Sequence, residues 1–286
     1  MMIYHLVHLL NQYYMKLSII TVVRNAEKTI RYTIESVVNQ IFTDYEYIII
    51  DGCSNDGTKN IIESFSGKIS KYVSEPDKGI YDAMNKGLRI AEGDWVYFMG
   101  ADDVIFSTDI FHKLFKNNLD DVDVLYGNVL FKNKKILFDG EFNAEKLCSR
   151  SPCHQAVLYR RKLFDIYGEF EIKYTTAADY VLHIKTFCGG ARWKYVNEIF
   201  AIYNELGASF LWKDKQYLNN NFEIRLMGFK GHVGKKSLAR IFLSSYWRFF
   251  LSHPIRKSLK YLNILFSYIN IWTVVSVIID KCFKKQ

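Results

Sequence analysis

Long apolar runs separated by amphipathic stretches set the pattern of the amino-terminal third of the chain. The run LSIITVV over 17–23 is apolar at nearly every position, which is typical of a parallel strand buried on both faces. Similar runs follow at 45–50, 69–73 and 95–99. Between the runs, apolar residues recur at helical spacing over 27–40 and over 80–91. A further helix is predicted after the loop at 51–58, and it ends at Phe65. This alternation predicts an α/β fold with a doubly wound sheet.

Polar residues follow the ends of the predicted strands. The segment from Thr21 to Asn25, the single residue Asp51, and the pair Asp102 and Asp103 each come at the end of an apolar run. Ligands of such sheets bind beyond the carboxyl ends of the strands, so one crevice can collect all three groups. The paired carboxylates repel each other, and a divalent metal that carries a diphosphate would relieve the repulsion. A solvated turn is the alternative interpretation of the pair.

Composition and missing motifs narrow the class of function. The chain has 286 residues, 49% of them hydrophobic and 24% charged, which is typical of one large globular domain with or without a small appendage. No GxGxxG follows the first strand and no GxxxxGK[ST] occurs, which argues against a dinucleotide cofactor and a P-loop. The five cysteines include no CxxC pair, which argues against a zinc site and indicates a reducing compartment.

Four motifs stand in a fixed order along the chain. They are SIITVVRN at 18–25, ESVVNQ at 35–40, IDGCSNDGT at 50–58 and SEPDKGIYDAMNKG at 74–87. Together they resemble the family 2 glycosyltransferases over about residues 16–210, and the last motif resembles the bacterial surface-polysaccharide branch. The resemblance implies an A-type glycosyltransferase fold, which is a Rossmann-like, mostly parallel sheet flanked by helices. It also implies an inverting, metal-dependent enzyme with a nucleotide-sugar donor.

The resemblance also implies roles for residues on the donor side. Asp51 matches the acid that contacts the nucleobase, usually uracil, and Asp102 and Asp103 match the metal motif. Gly100 stands where the common DxDD form has its first Asp. We expect Asp103 to be the principal ligand of Mn²⁺ or Mg²⁺ and Asp102 to bridge the metal and the ribose. The other donor-binding positions are Thr21, Val23, Asn25 and Lys78, although Lys78 is alternatively a surface lysine in a turn.

On the acceptor side, an inverting transfer needs a general base near the attacking hydroxyl. Asp179 matches the family's catalytic acid, and the alternative is a helix N-terminal Asp that the macrodipole favours. His154 and Gln155 stand where polysaccharide transferases carry a His-Gln pair lining the acceptor side, with Tyr126 near the same cleft. A lone His is often structural instead. Residues 207–209 resemble a loop that closes over the donor in relatives.

The net charge of +8 is unevenly distributed. Residues 1–229 carry 27 Lys and Arg against 29 Asp and Glu, whereas residues 230–286 carry 11 basic residues and one acid. Aromatic and apolar residues interleave with these charges over 238–250 and 261–279. This pattern differs from that of nucleic-acid-binding proteins, and it predicts a helical tail in peripheral contact with an anionic membrane. Packing of the tail on the catalytic domain or on a second subunit is the alternative.

The amino terminus needs a separate interpretation. Residues 1–14 are apolar but have no basic n-region and no small-residue cleavage site, so they do not read as a signal peptide, and they are too short to span a bilayer. We expect a poorly ordered extension upstream of a natural start at Met15. The predicted organisation is this extension, a catalytic domain over 15–229, and the tail over 230–286.

These inferences combine into one prediction of function. The chain is expected to transfer a sugar, from a UDP-hexose donor, to a hydroxyl of a lipid-linked oligosaccharide at the cytoplasmic face of the inner membrane, as in O-antigen or capsule biosynthesis. Three alternatives stay open. A polyprenyl-phosphate glycosyltransferase of the same fold would need no base, and a nucleotidyltransferase would need glycines that Arg24-Asn25-Ala26 lacks. The third alternative is a binding module without catalysis.

Overall fold

The computed structural model of the chain describes residues 17–204 and 214–250, together with 265–267, 269, 273–274 and 276–277. At 219 and 244–250 it describes the backbone alone. The predicted extension 1–14, the loop 207–209 and most of the apolar stretch 261–279 therefore lie outside the described residues.

Strands and helices alternate through the described chain. The strands are β1 (Leu17–Val23), β2 (Tyr45–Asp51), β3 (Lys71–Ser74), β4 (Trp95–Gly100), β5 (Val104–Ile105), β6 (Val124–Phe131), β7 (Leu137–Phe138), β8 (Val157–Arg160) and β9 (Trp193–Tyr203). The helices are α1 (Ile30–Val38), α2 (Thr58–Glu63), α3 (Ile80–Ile90), α4 (Ile110–Phe115), α5 (Ala144–Ser149), α6 (Leu163–Tyr167), α7 (Ala178–Cys188), α8 (Lys215–Phe229) and α9 (Lys235–Phe250). Short 3₁₀ helices occupy Ser66–Lys68 and His154–Ala156.

The strands form one sheet in the order β3-β2-β1-β4-β8-β6-β9-β5, with β7 paired to β6. As the sequence predicts, β1 is parallel to β2 and to β4, and β2 is parallel to β3. Beyond β4 the sheet is mixed, because β8 runs antiparallel to both β4 and β6 while β6 and β9 are parallel. The expectation of a mostly parallel sheet is therefore corrected to a mixed sheet flanked by helices.

The direction of β8 follows from the place where the chain enters it. The 3₁₀ helix His154–Ala156 directly precedes β8 and lies beside the end of β4, since Gln155 Nε2 donates to Asp103 Oδ2 over 2.8 Å. A strand that begins where its neighbour ends must run against that neighbour. As a result, the start of β8 lies at the same edge of the sheet as the carboxyl ends of β1, β2 and β4.

Two hydrophobic clusters pack against the sheet, one on each face. Ile20 and Ile48 belong to the first cluster, and their chain neighbours Ile19 and Ile49 belong to the second. Successive side chains of a strand point to opposite faces, so both faces of β1 and β2 are buried. This two-sided burial explains why the strands read as continuous apolar runs.

The described part of the segment 230–286 packs on the first of these clusters. The rings of Phe222 on α8 and Phe242 on α9 lie 4.6 Å apart, and Leu265 and Ile269 are buried in the same cluster. Within the described parts of the chain, no helix has the length and apolar character needed to cross a membrane. Described residues on both sides of the predicted boundary at 229 thus share one hydrophobic cluster, and the boundary and the membrane contact stay predictions.

Helix α3 lies very close to the sheet. An added Cβ at Gly87 would be 2.5 Å from Ile20 Cγ2 and 3.3 Å from Ile50 Cγ1. Only a residue without a side chain therefore allows α3 to keep this distance from β1 and β2.

Replacement of Gly87 by alanine tests this close approach. Overpacking costs about 1–3 kcal/mol, which exceeds the roughly 1 kcal/mol of helix propensity that alanine gains over glycine. We expect Gly87→Ala to lower the free energy of unfolding in urea. The matched control is Gly67→Ala, where an added Cβ meets nothing within 4 Å. A Gly87→Ala protein at least as stable as the control would contradict the packing described here.

Candidate active site

The turn between β4 and β5 places two carboxylates side by side. Asp103 is 1% exposed, and its Oδ2 accepts hydrogen bonds from Gln155 Nε2 (2.8 Å) and from the Gly100 amide (3.2 Å). Asn204, which directly follows β9, donates its backbone amide to Asp103 Oδ1 and its side-chain amide to Asp102 Oδ2. The pair is therefore held from three separate parts of the chain.

The electrostatics of this pair fit a divalent cation. Burial, and next the negative charge of Asp102, raise the pKa of Asp103 to about 6, although the hydrogen bond from Gln155 and the nearby His154 oppose the rise. A Cβ at Gly100 would lie 2.9 Å from Asp103 Oδ2 and 3.1 Å from Asp102 Oδ1, so oxygens of both carboxylates converge on the space that glycine leaves free. Oxygen ligands of this kind suit Mg²⁺ or Mn²⁺.

A cation at this place would not be held by protein side chains alone. Among the described residues, no group of three or more His, Cys, Asp or Glu side chains is arranged to hold a metal. Two carboxylates leave most of the coordination of Mg²⁺ or Mn²⁺ to water and substrate phosphates, which is how such ions bind in nucleotide sites.

Asp51 ends β2 and is completely buried. Its Oδ1 accepts hydrogen bonds from the amide and the hydroxyl of Ser54, and its Oδ2 accepts one from Ser74 Oγ over 2.6 Å. These donors hold the loops after β2 and β3 against the strand end. Both carboxylate oxygens are thus occupied by the protein, and the nucleobase contact stays a prediction.

The loop after β1 is joined to the loop after β2 by a set of short hydrogen bonds. The Asn25 amide donates to Ser54 Oγ (2.8 Å), and Asn25 Oδ1 accepts from the Asn55 amide (2.9 Å). The carbonyl of Val23 accepts from the Gly52 amide (2.9 Å). Asn25 has a φ of 53°, a left-handed conformation in which asparagine is enriched. Two of the predicted donor-binding residues thus shape the rim of the crevice, Val23 through its backbone and Asn25 through both its backbone and its side chain.

Thr21 and Lys78 occupy very different environments. Thr21 is fully buried, and its hydroxyl bonds to the Tyr47 hydroxyl over 3.1 Å. Lys78 is exposed in the turn before α3, where its backbone amide donates to Asp82 Oδ2. The structure therefore places Thr21 in the core and Lys78 at the surface, and a donor contact of either stays a prediction.

Asp179 lies in the first turn of α7, with its side chain 15% exposed. Its Oδ1 accepts hydrogen bonds from the Tyr81 hydroxyl and from the Tyr180 amide, both over 2.8 Å. Its Oδ2 lies 3.6 Å from His154 Nδ1. Burial by itself would raise the pKa of Asp179, but the contact with His154 and the hydrogen bond from Tyr81 outweigh it and lower the pKa. The side chain is therefore an ionised carboxylate near neutral pH.

One dipeptide joins the two sets of acids. Gln155 donates to Asp103, whereas the adjacent His154 faces Asp179. The His154 side chain is nearly buried, and its Nε2 has no hydrogen-bond partner among the described residues. The fold thus brings the predicted metal pair and the predicted base to the two sides of residues 154–155.

A second histidine supports α7 one turn beyond Asp179. His183 is fully buried, and its ring nitrogens bond to Ser151 Oγ (2.6 Å) and to the Tyr159 hydroxyl (2.5 Å). Burial lowers the pKa of His183 to about 4, so the ring is neutral near neutral pH. The charge of Asp179 therefore faces a neutral, hydrogen-bonded layer on this side.

Tyr126 is a core residue in the structure. It is 3% exposed, its ring packs against Trp193 at 5.5 Å, and its hydroxyl accepts a hydrogen bond from the Phe142 amide over 3.0 Å. These contacts account for the side chain, and the acceptor contact predicted for it stays a prediction.

Two residues of the site escaped the sequence analysis. Tyr81 belongs to the fourth motif, and the resemblance assigns it no individual role. Asn204 follows the last strand, and its contact with Asp102 and Asp103 depends on the pairing of β9 with β5 and β6. A polar residue at a strand end is the available sequence signal for Asn204, and a tyrosine at the start of a predicted helix is the signal for Tyr81.

Comparison with known proteins places this chain in a family. The model of the family described as Glycosyl transferase family 2 matches residues 18–178. A PGL/p-HBAD biosynthesis glycosyltransferase of Mycobacterium bovis is 32% identical over 209 residues, which are 70% of this chain and 82% of that protein.

Two further proteins extend the comparison. The UDP-Glc:alpha-D-GlcNAc-diphosphoundecaprenol beta-1,3-glucosyltransferase WfaP of Escherichia coli is 26% identical over 75% of this chain and 88% of its own. The crystal structure of S. aureus TarS 1–349 in complex with UDP-GlcNAc has a TM-score of 0.71 at 18% identity, covering 91% of this chain and 83% of that chain, which supports the fold. This chain belongs to glycosyl transferase family 2 and is a glycosyltransferase.

Proposed function

We propose that this enzyme is an inverting, metal-dependent hexosyltransferase that moves a sugar from a UDP-sugar to a hydroxyl of a lipid-linked oligosaccharide in surface-polysaccharide biosynthesis. The observation that carries the proposal is the dipeptide His154–Gln155, which has the paired carboxylates on one side and Asp179 on the other. A donor diphosphate and an acceptor hydroxyl would then meet between them. The names of WfaP and of the TarS complex support the substrate classes.

On the donor side, Asp102 and Asp103 would hold Mn²⁺ or Mg²⁺. When bound, such a cation offsets the charge that develops on the departing nucleoside diphosphate. Gln155 and Asn204 fix the Asp103 carboxylate before substrate arrives, which avoids a reorganisation cost during the reaction. Asp102 is the more exposed of the two acids and is the one we assign to the ribose.

On the acceptor side, Asp179 is the proposed general base. The acceptor oxygen attacks the anomeric carbon from the face opposite the diphosphate, and the bond from that carbon to the diphosphate oxygen breaks. The electron pair leaves with the diphosphate, and the hydroxyl proton passes to Asp179. One displacement of this kind inverts the anomeric configuration. The lowered pKa of Asp179 keeps the carboxylate ready to accept the proton.

The donor and metal proposal is tested with a panel of nucleotide-sugars. We expect transfer or slow hydrolysis of a UDP-hexose in Mn²⁺ or Mg²⁺, loss of this activity in EDTA, and loss in Asp103→Ala. The reason is that the diphosphate charge would be uncompensated without the cation. The control is Asp121→Ala, which removes an acid that is 96% exposed. Full activity in EDTA, or in Asp103→Ala, would refute the metal assignment.

The base proposal is tested by Asp179→Asn, which keeps the shape of the side chain and removes its basicity. We expect kcat to fall by about 10²–10⁴-fold, the usual contribution of general acid–base catalysis, while UDP binding is retained. Asp165→Asn, at an exposed position of α6, is the control. If Asp179→Asn keeps nearly full activity, the acceptor is better explained as a phosphate, as in a polyprenyl-phosphate glycosyltransferase.

We further propose that the basic tail brings the enzyme to the anionic cytoplasmic face of the inner membrane, where a lipid-linked acceptor would lie. The support is the charge count, 11 basic residues and one acid over 230–286. Because buried apolar residues of the tail pack on the catalytic domain, the proposed contact is mainly electrostatic.

Flotation of the full chain with vesicles tests the membrane contact. We expect binding to anionic vesicles and not to neutral ones, decreasing with salt. Replacement of Lys281, Lys284 and Lys285 by glutamine should weaken binding by about 3 kcal/mol, since each basic residue near the surface contributes about 1 kcal/mol. The matched control replaces Lys28, Lys68 and Lys116, which are exposed on the catalytic domain. If both triple variants float equally well, the proposed membrane contact of the tail is contradicted.

A further inference from the structure

The fourth sequence motif, over 74–87, is the longest of the four, and the proposed reaction uses none of its helical residues. Its second half forms the first turns of α3. Tyr81 and Asn85 lie four positions apart on this helix, so they share one face. Both side chains are buried, with Tyr81 5% exposed. Tyr81 contacts Asp179 on α7, and Asn85 contacts Phe170 in the chain that precedes α7.

Asn85 fixes the distance between α3 and the chain that precedes α7. Its Nδ2 donates to the Phe170 carbonyl over 2.8 Å, and its Oδ1 accepts from the Phe170 amide over 3.0 Å. These two bonds join residues 85 positions apart in the chain. The ring of Phe170 in turn packs on the ring of Tyr81, with 5.4 Å between centroids. The Tyr81 ring is thus confined between its own helix and the chain that precedes α7.

The other side of α3 is fixed as well. The missing side chain of Gly87 lets α3 approach Ile20 of β1, as described above. Lys86 bonds to the Pro76 carbonyl and pairs with Glu75 at 3.0 Å, which ties the helix to the loop before it. Helix α3 is therefore seated on the sheet, and Tyr81 projects from a rigid base.

The Tyr81 hydroxyl is hydrogen-bonded to the carboxylate of Asp179. It donates to Asp179 Oδ1 over 2.8 Å, and His154 Nδ1 stands 3.6 Å from Oδ2 on the other side. Burial, and next the charge of Asp179, raise the pKa of Tyr81 well above its usual value. The tyrosine therefore remains protonated and can only donate to this carboxylate.

We propose that Tyr81 is a positioning residue that holds the carboxylate of Asp179 in the orientation from which it takes the acceptor proton. The inference rests on the proposed role of Asp179 as base. A carboxylate on a free rotamer would have to be oriented in each catalytic cycle, whereas one held by Tyr81 starts in place. The fourth motif then has a physical purpose, since Asn85 and Gly87 fix the position from which Tyr81 acts.

Several titratable groups face Asp179 and bear on its pH dependence. They are Tyr81 on α3, Cys153 and His154 just before β8, Tyr159 on β8, His183 on α7, and Tyr217 on α8. Among them, the hydrogen bond from Tyr81 lowers the pKa of Asp179 because it stabilises the charged form. Removal of this bond should raise the pKa of Asp179. The base form is lost as pH falls through that pKa, so the part of the acidic limb of the kcat profile that reflects Asp179 should move to higher pH.

The experiment compares Tyr81→Phe with Tyr167→Phe in the full enzyme. Each variant removes one hydroxyl and one hydrogen bond of 2.8 Å, but the Tyr167 hydroxyl donates to the Gly189 carbonyl away from the site. We expect Tyr81→Phe to lower kcat by about tenfold to hundredfold, the range for a hydrogen bond to a charged group, with the donor KM unchanged. The acidic limb of its kcat profile should also shift upward in pH. Tyr167→Phe should behave as the parent protein.

Each outcome has one meaning. A Tyr81→Phe protein with the kcat and pH profile of Tyr167→Phe overturns the inference. UDP affinity and the melting temperature show whether the Tyr81→Phe protein is folded. If kcat, UDP affinity and the melting temperature all fall together, the inference is also overturned, because the residue would then be structural. If Asp179→Asn is inactive while Tyr81→Phe is not impaired, only the positioning role fails. If Asp179→Asn is fully active, the base assignment itself fails.

Discussion

A carboxylate buried in a protein costs free energy unless hydrogen-bond donors surround it. This enzyme has two buried carboxylates, Asp51 and Asp103, at one edge of a sheet and a third, Asp179, that is largely shielded from solvent on α7. Each is satisfied from a distant part of the chain. Asp51 accepts from Ser74, 23 positions away. Asp103 accepts from Gln155, 52 positions away, and Asp179 accepts from Tyr81, 98 positions away. The hydrogen bonds that make these charges tolerable therefore also determine which loops and helices meet at the edge, and the geometry of the site follows from that requirement.

The antiparallel strand β8 is the element that makes this arrangement possible. A further parallel strand would begin at the opposite edge of the sheet and would carry its first residues away from the carboxylates. Because β8 runs against β4, its preceding residues His154 and Gln155 lie at the site and not below it. The backbone of Gln155 is also fixed, since the Tyr97 hydroxyl donates to its carbonyl over 2.6 Å. The site therefore requires the mixed sheet, because the antiparallel direction of β8 brings His154 and Gln155 to the carboxylates.

The parts of this structure that the sequence predicts are those set by local pattern. The strand Leu17–Val23 and the helix Ile80–Ile90 follow from continuous apolar runs and from helical spacing, which neighbouring residues determine. The direction of β8 and the burial of Phe242 against Phe222 depend on contacts between remote segments, which periodicity does not encode. The same limit applies to the site. Asp51 was located at a strand end, but its saturation by serine hydroxyls becomes visible only when the loops are folded together.

The fourth motif supplies hydrogen-bond donors to two acids of the site that lie far apart in the sequence. Its first residue, Ser74, donates to Asp51 at the end of β2, and seven positions later Tyr81 donates to Asp179 on α7. Between them the chain turns at Gly79, whose φ of 119° is open to glycine and strained for other residues. A helix seated on the sheet follows this turn, so the two hydroxyls keep a fixed separation. A change in the loop after β3 would therefore disturb the donors of both acids, which gives a physical reason for such a motif to be contiguous in sequence.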